Sequence, residues 1–161
     1  MTPSRIKTSA ILLLAFLFLV TSLSCAAAQP LKCTRVVDGD TIILSNGEKV
    51  RFIGVDTPET VRPNTPVEYY GKEASAFTKN MVEGKTVRLE YDWEERDKYG
   101  RLLAYVYLMD DTFLNAEVIK QGYGHAYTRF PFKYLDEFRE YEKEAREAKR
   151  GLWGDEDNKR K

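Results

Sequence analysis

The sequence predicts an α+β fold, mainly β, in which five short strands close or nearly close a small barrel and three α-helices pack around it. Three observations carry this. Strand-like stretches run three in a row, then a helix, then two strands, then two helices. Glycine-rich turns separate the short strands, and five such strands suit a small barrel, of which the OB-fold is the common type. No segment repeats, which sets repeat architectures aside.

Taken in order, residues 32–37 and 41–45 read as strands rich in Val, Ile and Leu. Asn46-Gly47 signals a two-residue hairpin turn, and Lys49 to Val55 is the returning strand. That turn pairs Ser45 with Glu48, Ile42 with Arg51 and Asp40 with Ile53. Asp40 and Arg51 are then diagonal neighbours, roughly 7–8 Å apart before their side chains reach. The stretch "TVRPNTPVEYY" (60–70) carries two prolines and reads as an exposed loop. From Gly71 to Glu83 the chain is helical, with Ala74, Phe77 and Met81 on one face and Gly84 as its cap. "KTVRLEYDW" alternates Val87, Leu89 and Tyr91 against Arg88 and Glu90, a half-buried strand. "EERDKYGR" is a polar turn, and "LLAYVYL" the fifth strand. Thr112 to Gln121 forms a short helix ended by Gly122. Tyr134 to Arg150 forms a longer one, with the stripe Tyr134, Phe138, Tyr141, Ala145 and Ala148, stopped by Gly151. "DEDNKRK" is a charged tail.

Ahead of this domain, Arg5 and Lys7 precede an apolar run from Ala10 to Val20, and Ala26 to Ala28 offer a small-residue cleavage site. This is the pattern of a secretory signal peptide over residues 1–28. Secretion, or release into a periplasm, is therefore expected. An uncleaved anchor and a lipid anchor at Cys25 are the alternatives, although Ser22-Leu23 fits a lipobox poorly. Residues 29–161 make one domain, with a core over 33–153 and the charged tail over 154–161. Cleavage leaves Cys33 without a partner cysteine, so packing must supply the stability.

The 161-residue chain balances 25 basic against 25 acidic residues. Arg5 and Lys7 lie in the leader, so the rest of the chain carries a net charge of −2. This is not the footprint of a protein that coats nucleic acid. Any such contact must be local, or aided by a bound cation. A single histidine, His125, leaves little scope for a zinc cage or Ser/His chemistry, and it reads as a surface residue at a helix exit.

The chemistry concentrates in "VVDGDTIILSNGEKVRF" and "IGVDTPET" (36–60), where Asp38, Asp40, Arg51, Asp56 and Glu59 interrupt apolar strand. Gly54 can bend the chain and aim Asp56 at Asp40. Carboxylates converging beside an arginine suit a hard divalent cation that takes oxygen ligands. "DGDT" is not an EF-hand, since Ile42, Ile43 and Lys49 fall at loop positions that need other residues. Each piece also has a plain structural reading: a turn at Asp38-Gly39, a helix start at Thr57-Pro58-Glu59, a structural ion pair between Asp40 and Arg51. Their concentration on one hairpin and its exit favours a site. "DKYGR" (97–101) adds Arg101. Two guanidiniums facing a cation make a phosphate clamp, because arginine donates to phosphate in a planar, bidentate way. Tyr127 could stack on a base, although with ten tyrosines in the chain packing is the commoner role.

With these residues in place the sequence resembles the staphylococcal nuclease family. The resemblance rests on "DGDT" (38–41), "RFIGVDTPET" (51–60), "YYGKEASAFTKNMVEGK" (69–85), "DKYGRLLAYVY" (97–107) and "KQGYGHAY" (120–127), and it spans Cys33 to Trp153. It implies a five-stranded OB barrel with three helices. It implies Ca²⁺-dependent hydrolysis of DNA and RNA, single- or double-stranded, at the P–O5′ bond, leaving 3′-phosphate and 5′-hydroxyl ends. By the same resemblance Asp40 and Asp56 match the metal carboxylates, and Thr57 matches a residue giving its backbone carbonyl. Arg51 and Arg101 match the phosphate-binding arginines, and Glu59 the general base. Tyr99 and Tyr127 match tyrosines near the nucleotide, and Asp38 a position behind the metal. The sequence departs from the family pattern at Arg129, where a second pocket tyrosine is usual, and at Asn64 and Thr65, where lysines are usual. A monomer is expected, with a membrane involved only through lipidation at Cys25. Two other functions compete: a non-catalytic nuclease-like binding module, and a structural domain that binds Ca²⁺ for stability. The first normally lacks the acidic and arginine set, and the second leaves the arginines unexplained.

Overall fold

The computed structural model describes residues 29–60 and 66–154. The expectations for the leader, for Asn64 and Thr65 and for the tail from residue 155 lie outside the described residues. The strands are β1 (Leu31–Asp38), β2 (Thr41–Leu44), β3 (Lys49–Phe52), β4 (Val55–Asp56), β5 (Thr86–Glu90), β6 (Leu102–Leu108) and β7 (His125–Ala126). The helices are α1 (Gly71–Val82), α2 (Leu114–Lys120) and α3 (Leu135–Glu147), followed by a 3₁₀ turn at Gly151–Trp153. Five strands close a barrel, as the sequence predicts, and their order is β1-β2-β3-β6-β5. β1 reaches both β2 and β5, bending through two register shifts. The β3–β6 pairing is parallel, with Val50 opposite Leu102 and Phe52 opposite Ala104.

Period-two alternation fills the barrel. Ile42, Leu44, Val50, Phe52, Val87, Leu89, Leu102, Ala104 and Val106 are buried in one core. β6 is buried on its other side as well. There Tyr105 and Tyr107 meet Phe113 and Tyr134, with Tyr105 crossing the Tyr134 ring edge-on at 4.8 Å. α1 contributes Ala74, Thr78 and Val82, α2 Leu114, Ala116, Val118 and Ile119, and α3 Phe138 and Ala145. No helix among the described residues is long and apolar enough to cross a membrane.

Five expectations are corrected. The hairpin loop has three residues, not two. Leu44 N–H donates to Glu48 O (2.9 Å), Gly47 N–H returns to Leu44 O (2.9 Å), and Gly47 takes the left-handed conformation at φ 86°. This is the turn-plus-bulge arrangement open to an Asn-Gly pair. Every pairing moves by one, so Thr41 faces Arg51 and Ile42 faces Val50. The predicted strand from Lys49 to Val55 breaks at Ile53-Gly54, and its end forms β4, which pairs with β7. His125 therefore lies in a strand opposite Asp56, not at a helix exit. Finally, α3 ends before Gly151. Lys149 takes φ 52° and Arg150 N–H caps Ala145 O at 2.9 Å, which leaves Ala148 exposed and off the core stripe. Tyr91 likewise falls past the end of β5 and is exposed.

One buried polar group organises the barrel mouth. Asn115 on α2 accepts from Val106 N–H (2.9 Å) and donates to Ile53 O (3.0 Å) and Ala104 O (3.2 Å). It thereby ties the end of β3 to β6 where the ladder between them stops.

Candidate active site

The site lies where the β1–β2 turn, the end of β3, β4 and the loop before β6 meet. Gly54 makes the bend. Its φ is 72°, and a Cβ there would come within 2.6 Å of Phe132 and 2.8 Å of Phe138. Only glycine combines that conformation with that proximity. The bend turns Asp56 back toward Arg51.

Arg51 is the centre of the cluster. Its Nη1 meets Asp40 Oδ2 at 3.2 Å, and its Nη2 meets Asp56 Oδ1 at 3.0 Å. Nη1 also donates to Phe52 O (3.2 Å) and to Val55 O. One guanidinium thus brings the two carboxylates together and holds the bend. Asp40 is almost fully enclosed. Its Oδ2 accepts the N–H and hydroxyl of Thr57, both at 3.0 Å, and its Oδ1 accepts Thr41 Oγ1 at 2.9 Å. The chain at Thr57-Pro58-Glu59 forms no regular element and begins no helix, so that structural alternative falls away.

Asp38 sits behind this pair. Its Oδ1 accepts Gly39 N–H and Thr60 Oγ1, each at 2.8 Å. Burial pushes Asp38 up to about 6. Glu59 and Asp40 push the same way, against the Thr60 and Gly39 donors. Thr78 on α1 donates to Gly39 O and pins the turn. Asp56 is also raised, by its surroundings first and against the pull of Arg51. Its side chain stays 53% exposed while holding the contact with Arg51.

Arg101 arrives from the loop before β6. The parallel ladder sets Arg51 opposite Leu103, which places Arg101, two residues earlier, on the same outer face. Asp97 fixes it, accepting Nε at 2.6 Å and the Arg101 N–H at 3.0 Å. This bond leaves the two Nη groups toward a cleft of about 700 Å³. Arg51, Asp56, Tyr99, Arg101, Tyr127 and Arg129 all line that cleft. Asp38, Asp40, Thr57 and Glu59 do not. Asp38, Asp40 and Thr57 are buried and Glu59 is half-buried, and this layer meets the cleft through Arg51 and Asp56. Tyr99 is 72% exposed beneath the Arg101 guanidinium, whose carbon lies 5.5 Å from the ring centre.

The donors are all oxygens. Among the described residues no group of three or more His, Cys, Asp or Glu side chains is arranged to hold a metal. A cation here would draw on Asp40, Asp56, the Thr57 carbonyl and water. A hard cation accepts such a shell and a soft one does not. The donor set therefore fits a hard divalent cation.

Sequence reasoning missed Thr41, Thr60, Thr78, Asp97 and Asn115 as supports. Only Asp97 carried a readable signal, four residues before Arg101 in a polar turn. The others are defined by contacts across the fold.

The family described as "Staphylococcal nuclease homologue" matches residues 49–155. The chain is 45% identical over 159 residues to the thermonuclease of Staphylococcus hyicus, covering 92% of this chain and 94% of that protein. It is 51% identical over 123 residues to the thermonuclease of Staphylococcus intermedius, covering 74% and 73%. To the endonuclease YncB of Bacillus subtilis it is 46% identical over 125 residues, 74% of this chain and 59% of that one.

Proposed function

The chain belongs to the staphylococcal nuclease family, and from that premise we propose that it is a Ca²⁺-dependent endonuclease that hydrolyses DNA and RNA to 3′-phosphate and 5′-hydroxyl ends. One observation carries the reading. A single guanidinium joins two carboxylates at the edge of a cleft that a second arginine also lines.

The residues divide the work as follows. Arg51 and Arg101 receive the scissile phosphate, where negative charge grows as water attacks; such preorganised donors are often the largest catalytic contribution. Glu59 takes a proton from the attacking water. The water oxygen bonds to phosphorus as the P–O5′ bond breaks, the 5′ oxygen takes up a proton from solvent, and Glu59 gives the proton it accepted back to solvent. Asp40, Asp56 and the Thr57 carbonyl would hold Ca²⁺, which when bound offsets charge on the phosphate. Asp38 positions Thr60 and the Gly39 turn behind them. Tyr99 and Tyr127 border the nucleotide. The proposal extends to a monomer released from the cell after cleavage of residues 1–28, with lipidation at Cys25 as the alternative, to be decided by mass spectrometry of the N-terminus.

Incubation of the purified protein with single-stranded DNA should give fragments whose 5′ ends accept phosphate directly from a polynucleotide kinase. Chelation should stop the reaction. Absence of cleavage with Ca²⁺ at every pH from neutral to strongly alkaline rules the reading out. Ca²⁺ should also raise Tm, since a ligand bound only by the folded state stabilises it. The raised Asp38 favours a bound proton in the fold, a contribution present below pH about 4 and lost as pH rises through about 6. Protons compete with the cation for this acidic cluster. The Ca²⁺-induced gain in Tm should therefore be smaller in acid than at neutral pH, and a gain independent of pH would contradict the metal assignment. Glu59→Gln should lower turnover about 10²–10⁴-fold and keep the Ca²⁺ effect on Tm; unchanged turnover would remove Glu59 from the mechanism.

A further inference from the structure

Two large aromatic side chains stand at the cleft without a part in the chemistry above. Trp93 is 69% exposed and Phe130 is 66% exposed, and both border the cleft that holds Arg51 and Arg101. Exposed aromatics gathered at one rim mark an interaction surface.

Their loops are held firmly. Asp92 accepts the Trp93 N–H on Oδ1 (2.9 Å), and on Oδ2 it accepts the Lys133 N–H (2.9 Å) and the Tyr105 hydroxyl (2.6 Å). One carboxylate therefore ties the Trp93 loop to the segment just after Phe130. Arg96 fastens the same loop to the β2–β3 hairpin, with its two Nη groups on Glu48 at 3.0 and 2.8 Å. Phe130 sits 6.2 Å from the Tyr127 ring, at 49°. The rings are exposed while the backbone beneath them is anchored, so stacking on them costs little ordering.

Anchored rings beside cationic side chains are what an unpaired strand binds, with bases on the rings and backbone on the cations. Arg129 adds a further guanidinium on the same cleft. A duplex offers no base faces, because its bases stack on one another. We propose that Trp93 and Phe130 form a second base-stacking subsite, engaging nucleotides that flank the one beside Tyr127. This rests on the nuclease reading.

The test uses full-length mature protein with Ca²⁺ and two substrates: a deoxydinucleotide and a single-stranded octathymidylate. Trp93→Ala/Phe130→Ala should raise KM for the octamer roughly 10-fold or more, with kcat and dinucleotide hydrolysis unchanged. Trp93→Phe should restore most of the octamer affinity. Octathymidylate added without turnover, in chelator, should quench tryptophan fluorescence in the wild type and not in Trp93→Phe. Equal KM in wild type and double variant overturns the subsite and leaves the nuclease reading standing. Loss on dinucleotide and octamer alike also overturns it, since that marks a structural effect. If the wild type cleaves nothing, the nuclease reading fails, and absence of quenching in the same protein would overturn the subsite separately.

Discussion

Arg101→Ala is expected to lower the hydrolysis of single-stranded DNA about 10³–10⁵-fold, the range for one arginine on a phosphoryl group in transfer, with Tm nearly unchanged. The separation follows from how Arg101 is held. Its one side-chain bond within the described residues is to Asp97, at 2.6 Å. Asp97 keeps the N–H groups of Tyr99 (2.9 Å) and Arg101 (3.0 Å) after truncation, so the loop retains its turn. A partly exposed ion pair of this kind is worth about 0.2–1 kcal/mol. Arg101→Lys should recover only part of the rate, because an ammonium cannot present two parallel donors. Single-turnover hydrolysis and a melting curve on the same preparation check both halves. Wild-type turnover in Arg101→Ala would remove it from the phosphate clamp.

The largest effect on stability is expected away from the cleft. Asn115→Leu should destabilise the fold by about 4 kcal/mol. The change strands the buried Val106 N–H and the half-buried Ile53 carbonyl, each at about 1–3 kcal/mol, while Ala104 O still accepts Ile53 N–H at 3.1 Å. For a domain of this size the corresponding fall in Tm is roughly 10–20 °C. Urea titration at constant m-value measures it directly, and a change below about 1 kcal/mol would mean that Asn115 is not the strut described. Activity at low temperature should survive, since Asn115 touches no residue of the cleft chemistry.

Asn115 also shows where reading a sequence stops. Its signal is one polar residue on the buried face of "LNAEVIK", and nothing local says that it spans a gap between two strands. The acidic cluster was readable because its members are crowded into 22 positions with a glycine bend among them. The strand register was not. Asn46-Gly47 serves a two-residue turn or a three-residue loop with a bulge, and only the core decides. Shifting by one sets Ile42 against Val50 inside and turns Arg51 outward. β4 and β7, at two residues each, are too short to carry a period, and that concealed the strand placing His125 beside Asp56. Lys149 could not have been foreseen as the stop of α3, because a lysine at positive φ runs against its preference and glycine stood two residues on.

The parallel seam between β3 and β6 has a consequence in time. It joins Val50 to Leu102, strands about fifty positions apart in the chain, whereas the β2–β3 and β5–β6 partners are antiparallel near neighbours. Pairings of long separation carry a loop-closure cost before any contact repays it, and they form late. Arg51 rides on one side of this seam and Arg101 follows from the other. The two guanidiniums therefore come together only when the seam zips shut. A chain in which that seam is still open has the two halves of its phosphate clamp in separate pieces.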